Sequence, residues 1–64
     1  MTFGQEIEHI RKLRGYTIID MCDILGVHES EYKHIIAHGG PLNTYQKISL
    51  VIAMEYPFYS MPKN

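Results

Sequence analysis

A single cysteine, Cys22, stands among 64 residues, so no internal disulfide braces the chain. One cysteine and four scattered histidines do not make a zinc framework either. No apolar run approaches the roughly 18 residues that a membrane span needs. The stretch Met1–Gln5 also lacks the basic-then-apolar layout of a signal peptide, so a soluble, cytoplasmic protein is expected. Charge of neither sign dominates: six Lys/Arg meet seven Asp/Glu, a net charge of −1 with histidine counted neutral. Repeats and low-complexity stretches are missing, and no segment alternates apolar and polar residues for long, which argues against a sheet. A chain this short buries only about 60% of the surface its unfolded form exposes, so there is one domain with a thin core. With 45% hydrophobic and 20% charged residues it has the composition of a globular domain rather than a disordered one. Met1 and the polar end Lys63-Asn64 are what a whole chain would show.

What the sequence does contain is helix punctuation. Thr2-Phe3-Gly4-Gln5 reads as a capping box, in which the hydroxyl accepts the third amide and the Gln side chain accepts the cap amide. Phe3, Ile7, Ile10 and Leu13 then share one face of a helix over 3–14, stopped by Gly15. A second box, Thr17-Ile18-Ile19-Asp20, opens a helix over 17–25 with Met21, Cys22 and Leu25 inward, and Gly26 ends it. A third helix over 28–37 buries Tyr32, Ile35 and Ile36. Ser30 is its better cap former by chemistry, the apolar pattern favours an earlier start, and Gly39-Gly40-Pro41 terminates it. Asn43-Thr44-Tyr45-Gln46 opens a fourth helix over 43–54, with Tyr45, Ile48, Val51 and Ile52 expected on its core side. Pro57 keeps Tyr56 out of helical angles, so that helix ends by about Glu55. The expectation is an all-α domain of four helices over 1–55 followed by a short apolar tail over 56–64.

The informative stretch runs from Thr17 to Ala37. Taking Gly26 as origin, Met21 stands at −5, the small Cys22 at −4, Leu25 at −1, Val27 at +1, Tyr32 at +6 and Ile35 at +9. A glycine entering the left-handed region, a small residue where two helices nearly touch and apolar wedges around them describe two helices crossing steeply about a sharp turn.

On these residues the chain resembles the lambda-repressor-like helix-turn-helix family, the Cro or xenobiotic-response-element type, over about residues 5–54. Ile10-Arg11-Lys12-Leu13-Arg14 looks like the end of that family's first helix, and Lys47-Ile48-Ser49-Leu50-Val51-Ile52-Ala53-Met54 like its late helix. The resemblance implies a compact four-helix DNA-binding domain, a transcriptional regulator that inserts helix 28–37 in the major groove of double-stranded DNA, usually as a homodimer. Bases would be read by His28, Glu29, Ser30, Lys33 and His34. Phosphates would be met by Arg14, Thr17, Asn43 and Thr44, with Lys47 beside them. Where the family commonly has Gln soon after the second cap and Arg in the reading helix, this chain has Ile18-Ile19 and Glu29, and Ile36-Ala37-His38 stands where many members close with an acidic residue before glycine.

Those departures leave a second reading open: a helix-turn-helix scaffold that binds another protein through its acidic third helix, Ile18, Ile19 and the aromatic tail. The tail residues Phe58, Tyr59 and Met61 are candidates for a dimer or partner contact, or fold back onto the core; Ile18 and Ile19 form a second possible contact. Glu31, His34 and His38 share a helical face, but Gly39-Gly40 is expected to fray the helix there, and no metal is expected. Cys22 reads as buried packing. No nucleophile, base or carboxylate pair is anchored on a pocket-forming scaffold, so neither catalysis nor a cofactor is expected.

Overall fold

Three of the four helix starts are built by the same reciprocal cap. The Gln5 amide donates to Thr2 Oγ1 at 3.1 Å while the Thr2 amide donates to Gln5 Oε1 at 2.9 Å. Thr17 and Asp20 repeat the exchange at 2.9 and 3.1 Å, and Asn43 and Gln46 at 3.0 and 2.8 Å. In the computed structural model, which describes residues 1–62, these caps open α1 (Phe3–Arg14), α2 (Ile18–Leu25) and α4 (Thr44–Met54). Lys63 and Asn64, the expected polar end, lie outside the described residues. The remaining helix, α3 (Glu29–His38), starts after His28, whose side chain makes no capping bond. It runs through His38, one residue past the expected end, and stops at Gly39. The chain is all-α: four helices, and no strand among the described residues.

The core is formed by Phe3, Ile7 and Ile10 of α1, Met21 and Leu25 of α2, Tyr32 and Ile35 of α3, Leu50 and Met54 of α4, with Leu42 from the connecting loop and Phe58 from the tail. Both α3 and α4 pack on α1 and α2, giving a body 25 × 22 × 21 Å across. One close approach sets the position of α3. A Cβ on Gly4 would stand 1.8 Å from the Ile36 carbonyl oxygen, so α1 and α3 meet backbone to backbone and only glycine fits.

Part of each of two expected apolar faces lies away from the core. Leu13 is 64% exposed, because at about 100° per residue it has drifted nearly a quarter turn from the Phe3–Ile7–Ile10 axis by the last turn of α1. In α4 the expected core residues Tyr45, Ile48 and Ile52 are 76%, 53% and 69% exposed. Leu50 and Met54 take the inward side instead, and the three others lie about 140–160° around the helix from Leu50. The helix is apolar on two sides, and the packing of α1 and α2 selects only one of them.

The tail folds back rather than standing free. Phe58 is buried, its ring edge-on to Phe3 at 6.0 Å and to Tyr56 at 5.1 Å. The buried Glu6 carboxylate holds the turn in place: it accepts from the Ser60 amide at 2.9 Å, the Tyr59 amide at 3.1 Å and the Tyr56 hydroxyl at 3.1 Å. Burial pushes this carboxyl group up, but those three donors outweigh it and leave it below its ordinary value.

Candidate nucleic-acid interface

The turn between α2 and α3 follows from Gly26. Its φ of +67° is left-handed, where a Cβ costs energy, and its N–H donates to the Cys22 carbonyl, as the Val27 N–H does at 3.0 Å. Met21, Leu25, Tyr32 and Ile35 fill the angle between the helices from within. Cys22 is half-buried at the crossing; burial, then the nearby carboxylates of Glu29 and Asp23, push its thiol up, which suits packing and not nucleophilic chemistry.

Apart from half-buried Ile36, the rest of α3 faces outward. Glu29, Ser30, Glu31, Lys33, His34, Ala37 and His38 are exposed, as is His28 at the cap. At about 100° per residue, Ser30, Lys33, His34 and Ala37 fall along the centre of the exposed arc, with Glu29 and Glu31 on its two flanks. Lys33 Nζ lies 3.3 Å from Glu29 Oε2, an exposed i,i+4 pair worth only about 0.2–0.5 kcal/mol, so the lysine is easily drawn to another acceptor. The His34 and His38 rings lie 4.4 Å apart. Among the described residues, no three His, Cys, Asp or Glu side chains come together to hold a metal.

The start of α4 adjoins this face. Gln46 Nε2 donates to the Leu25 carbonyl at 3.0 Å, tying the first turn of α4 to the last of α2. Val27, Glu31, His34, Ile35, Pro41 and Gln46 then line a shallow depression of about 200 Å³. This brings His34, among the base-reading candidates, beside the first turn of α4, where Asn43 and Thr44 are exposed. Asn43 Oδ1 and Thr17 Oγ1 are engaged in capping. Lys47 is half-buried, turned toward the body.

The basic cluster at the end of α1 has structural work. Arg14 donates to the Met54 carbonyl at 2.8 Å and the Glu55 carbonyl at 3.4 Å, closing the C-terminus of α4. Arg11 grips Glu8 with two bonds of 2.9 Å and donates to the Tyr16 carbonyl at 2.8 Å. Glu8 also accepts from the Tyr32 hydroxyl. The Arg11 guanidinium holds the Glu8 carboxyl below its usual range, while burial and this carboxylate push the Tyr32 phenol far up. Sequence reasoning overlooked Glu8 and Tyr32 as a network; the only signal was an i,i+3 Glu8–Arg11 pair. Together with Ile18, Lys33, Ile36 and Ala37 they line a cleft of about 180 Å³.

The expected contact residues separate. Phe58, offered as a dimer seam, is 3% exposed and belongs to the core, because Glu6 draws the tail against α1. Met61 and Ile18 are half-buried, whereas Tyr59 and Ile19 are 81% and 69% exposed. No helix is long and apolar enough to cross a membrane among the described residues. No family model, no curated protein and no solved structure matches the chain.

Proposed function

We propose that the protein is a sequence-specific DNA-binding regulator of the lambda-repressor-like, Cro type, acting as a homodimer with α3 in the major groove. The observation that carries this reading is the pairing of α2 and α3 about a left-handed Gly26, with Tyr32 and Ile35 of α3 buried, Ile36 half-buried and the side carrying Ser30, Lys33 and His34 presented to solvent. In this reading Ser30, Lys33 and His34 face base edges, Lys33 or His34 donating to guanine and Glu29 accepting from a cytosine amino group. The N-termini of α2 and α4, at Thr17 and at Asn43-Thr44, meet phosphates through main-chain amides and the helix dipole, which need no lysine or arginine. A net charge of −1 and glutamates on both flanks of α3 make the affinity of one domain modest, so two half-sites are required.

Selection of bound duplexes from a random library at low salt tests the reading. Enrichment of paired half-sites about one helical turn apart is expected. Lys33→Ala should relax the preference at one position without changing affinity for random duplex. Enrichment no greater than for an unrelated acidic protein refutes it.

One observation favours a protein partner instead. Glu29 and Glu31 are exposed on the two flanks of the outward side of α3, with Lys33 the one lysine or arginine between them. A partner retained through nuclease treatment, and lost on Glu29→Lys or Glu31→Lys, would support this second reading.

A further inference from the structure

We propose that the outward face of α4 is the seam through which two copies of this chain pair. Tyr45, Ile48 and Ile52, exposed by 76%, 53% and 69%, fall within about 60° of arc, opposite the buried Leu50 and Met54. A helix apolar on both sides is normally covered on both, and this one is covered only on the side of α1 and α2.

The occupant follows from the stripe's chemistry and symmetry. It carries no charge: Ser49 and Thr44 flank it, and the only ionisable side chain between Thr44 and Met54 other than the Tyr45 phenol, Lys47, is on the opposite, half-buried side. No charged partner is needed to complement it. It is also close to its own mirror in sequence: a large apolar residue stands near each end, Tyr45 and Ile52, with Ile48 near the midpoint. In an antiparallel α4–α4 pair about a two-fold axis, Tyr45 of each copy meets Ile52 of the other, and Ile48 and Ser49 lie at the axis. That is the self-complementary geometry an isologous contact requires.

At about 150–250 Å² for an exposed aromatic side chain and somewhat less for isoleucine, the three expose on the order of 400 Å² per copy. This is about half the ~800 Å² per partner of a standard interface and lies within the range of functional patches on small monomers. The dimer is therefore a weak one, with a dissociation constant in the micromolar range. The use of the dimer rests on the DNA reading above; the contact itself does not.

Sedimentation equilibrium on the full chain, without DNA, tests it. Wild type should pass from monomer to dimer between about 1 and 500 µM. Ile48→Glu puts like charges together at the axis, and Ile52→Glu sets an unpaired carboxylate against the partner's Tyr45; each should weaken pairing by about 100-fold or more. Tyr59→Ser, on the exposed tail, should leave it unchanged. If a glutamate variant fails to fold, oxidative cross-linking of Ile48→Cys in a Cys22→Ser background replaces it: a covalent dimer is expected, and none from Tyr59→Cys. A wild type that stays monomeric up to about 500 µM, a dimer that survives both glutamate variants, or an Ile48→Cys protein that does not cross-link each overturns the proposal. A monomer that still selects half-sites removes the seam and keeps the DNA reading, whereas a dimer that selects no DNA removes that reading and keeps the seam.

Discussion

Replacing Gly4 by alanine sets two known effects against each other at the point where α3 is held. In a helix interior the change gains about 1 kcal/mol, since alanine is the better helix former. Here the new Cβ would lie 1.8 Å from the Ile36 carbonyl oxygen, 2.7 Å from its carbon and 3.0 Å from its Cα. All three are backbone atoms, so no flexible side chain can swing aside. To restore ordinary contact, which begins at 3.4 Å, the helices must part by about 1.6 Å, opening the packing between α1 and α3. Overpacking a core costs about 1–3 kcal/mol when side chains can adjust and more when they cannot. The steric term therefore wins, and Gly4→Ala should destabilise the domain by a net ~2 kcal/mol or more. For so small a domain, with a shift of about 4–8 °C per kcal/mol, the melting temperature should fall by about 10 °C or more. Thermal and urea unfolding followed by circular dichroism measures this, with His9→Ala on the exposed side of the same helix as a control expected within about 0.5 kcal/mol of wild type. A Gly4→Ala protein as stable as wild type, or more so, would show that α1 and α3 do not touch at this point. The placement of the candidate reading helix would fall with it.

Three further outcomes are expected. Glu6→Gln should cost about 1.5–3 kcal/mol at neutral pH, because the tail's donors lose a charged acceptor. Since the Glu6 carboxyl lies below its ordinary 4.5 in the folded state, its stabilisation is present above that value and fades as pH falls through the lower folded one; the gap in melting temperature between wild type and variant should narrow in acid, and a gap that stays constant would exclude the mechanism. Gly26→Ala meets no atom within 4 Å, so only its left-handed backbone opposes it; a loss of about 1–2 kcal/mol in urea unfolding is expected, and no loss would mean the turn does not need that conformation. Asn43→Ala removes the acceptor for the Gln46 amide and should cost about 1 kcal/mol by the same measurement, with an unchanged midpoint ruling out the cap.

Much of the secondary structure was legible because its determinants are local. A hydroxyl or amide side chain three residues before Gln or Asp closes its cap within one turn, whatever the rest of the chain does, and the boxes at Thr2, Thr17 and Asn43 formed as read. Glycine at residues 15, 26 and 39 ended helices for equally local reasons. The third helix, lacking such a box, was where the start was ambiguous, and its cap is His28 without a side-chain bond.

The sequence by itself determined four helices, the three boxed starts and the apolar wedge around Gly26, because these depend on spacing of a few residues along the chain. Only the tertiary structure decided which apolar side of α4 is buried, since Leu50-Met54 and Tyr45-Ile48-Ile52 are both apolar stripes and the choice lies with α1 and α2. It also decided that Glu6 is an anchor for a tail more than 50 residues away and that Arg11 and Arg14 donate to the main-chain carbonyls of Tyr16 and Met54. Side-chain charge and polarity are written in the sequence, but what each group faces is set by neighbours far along the chain, and packing alone brings them there.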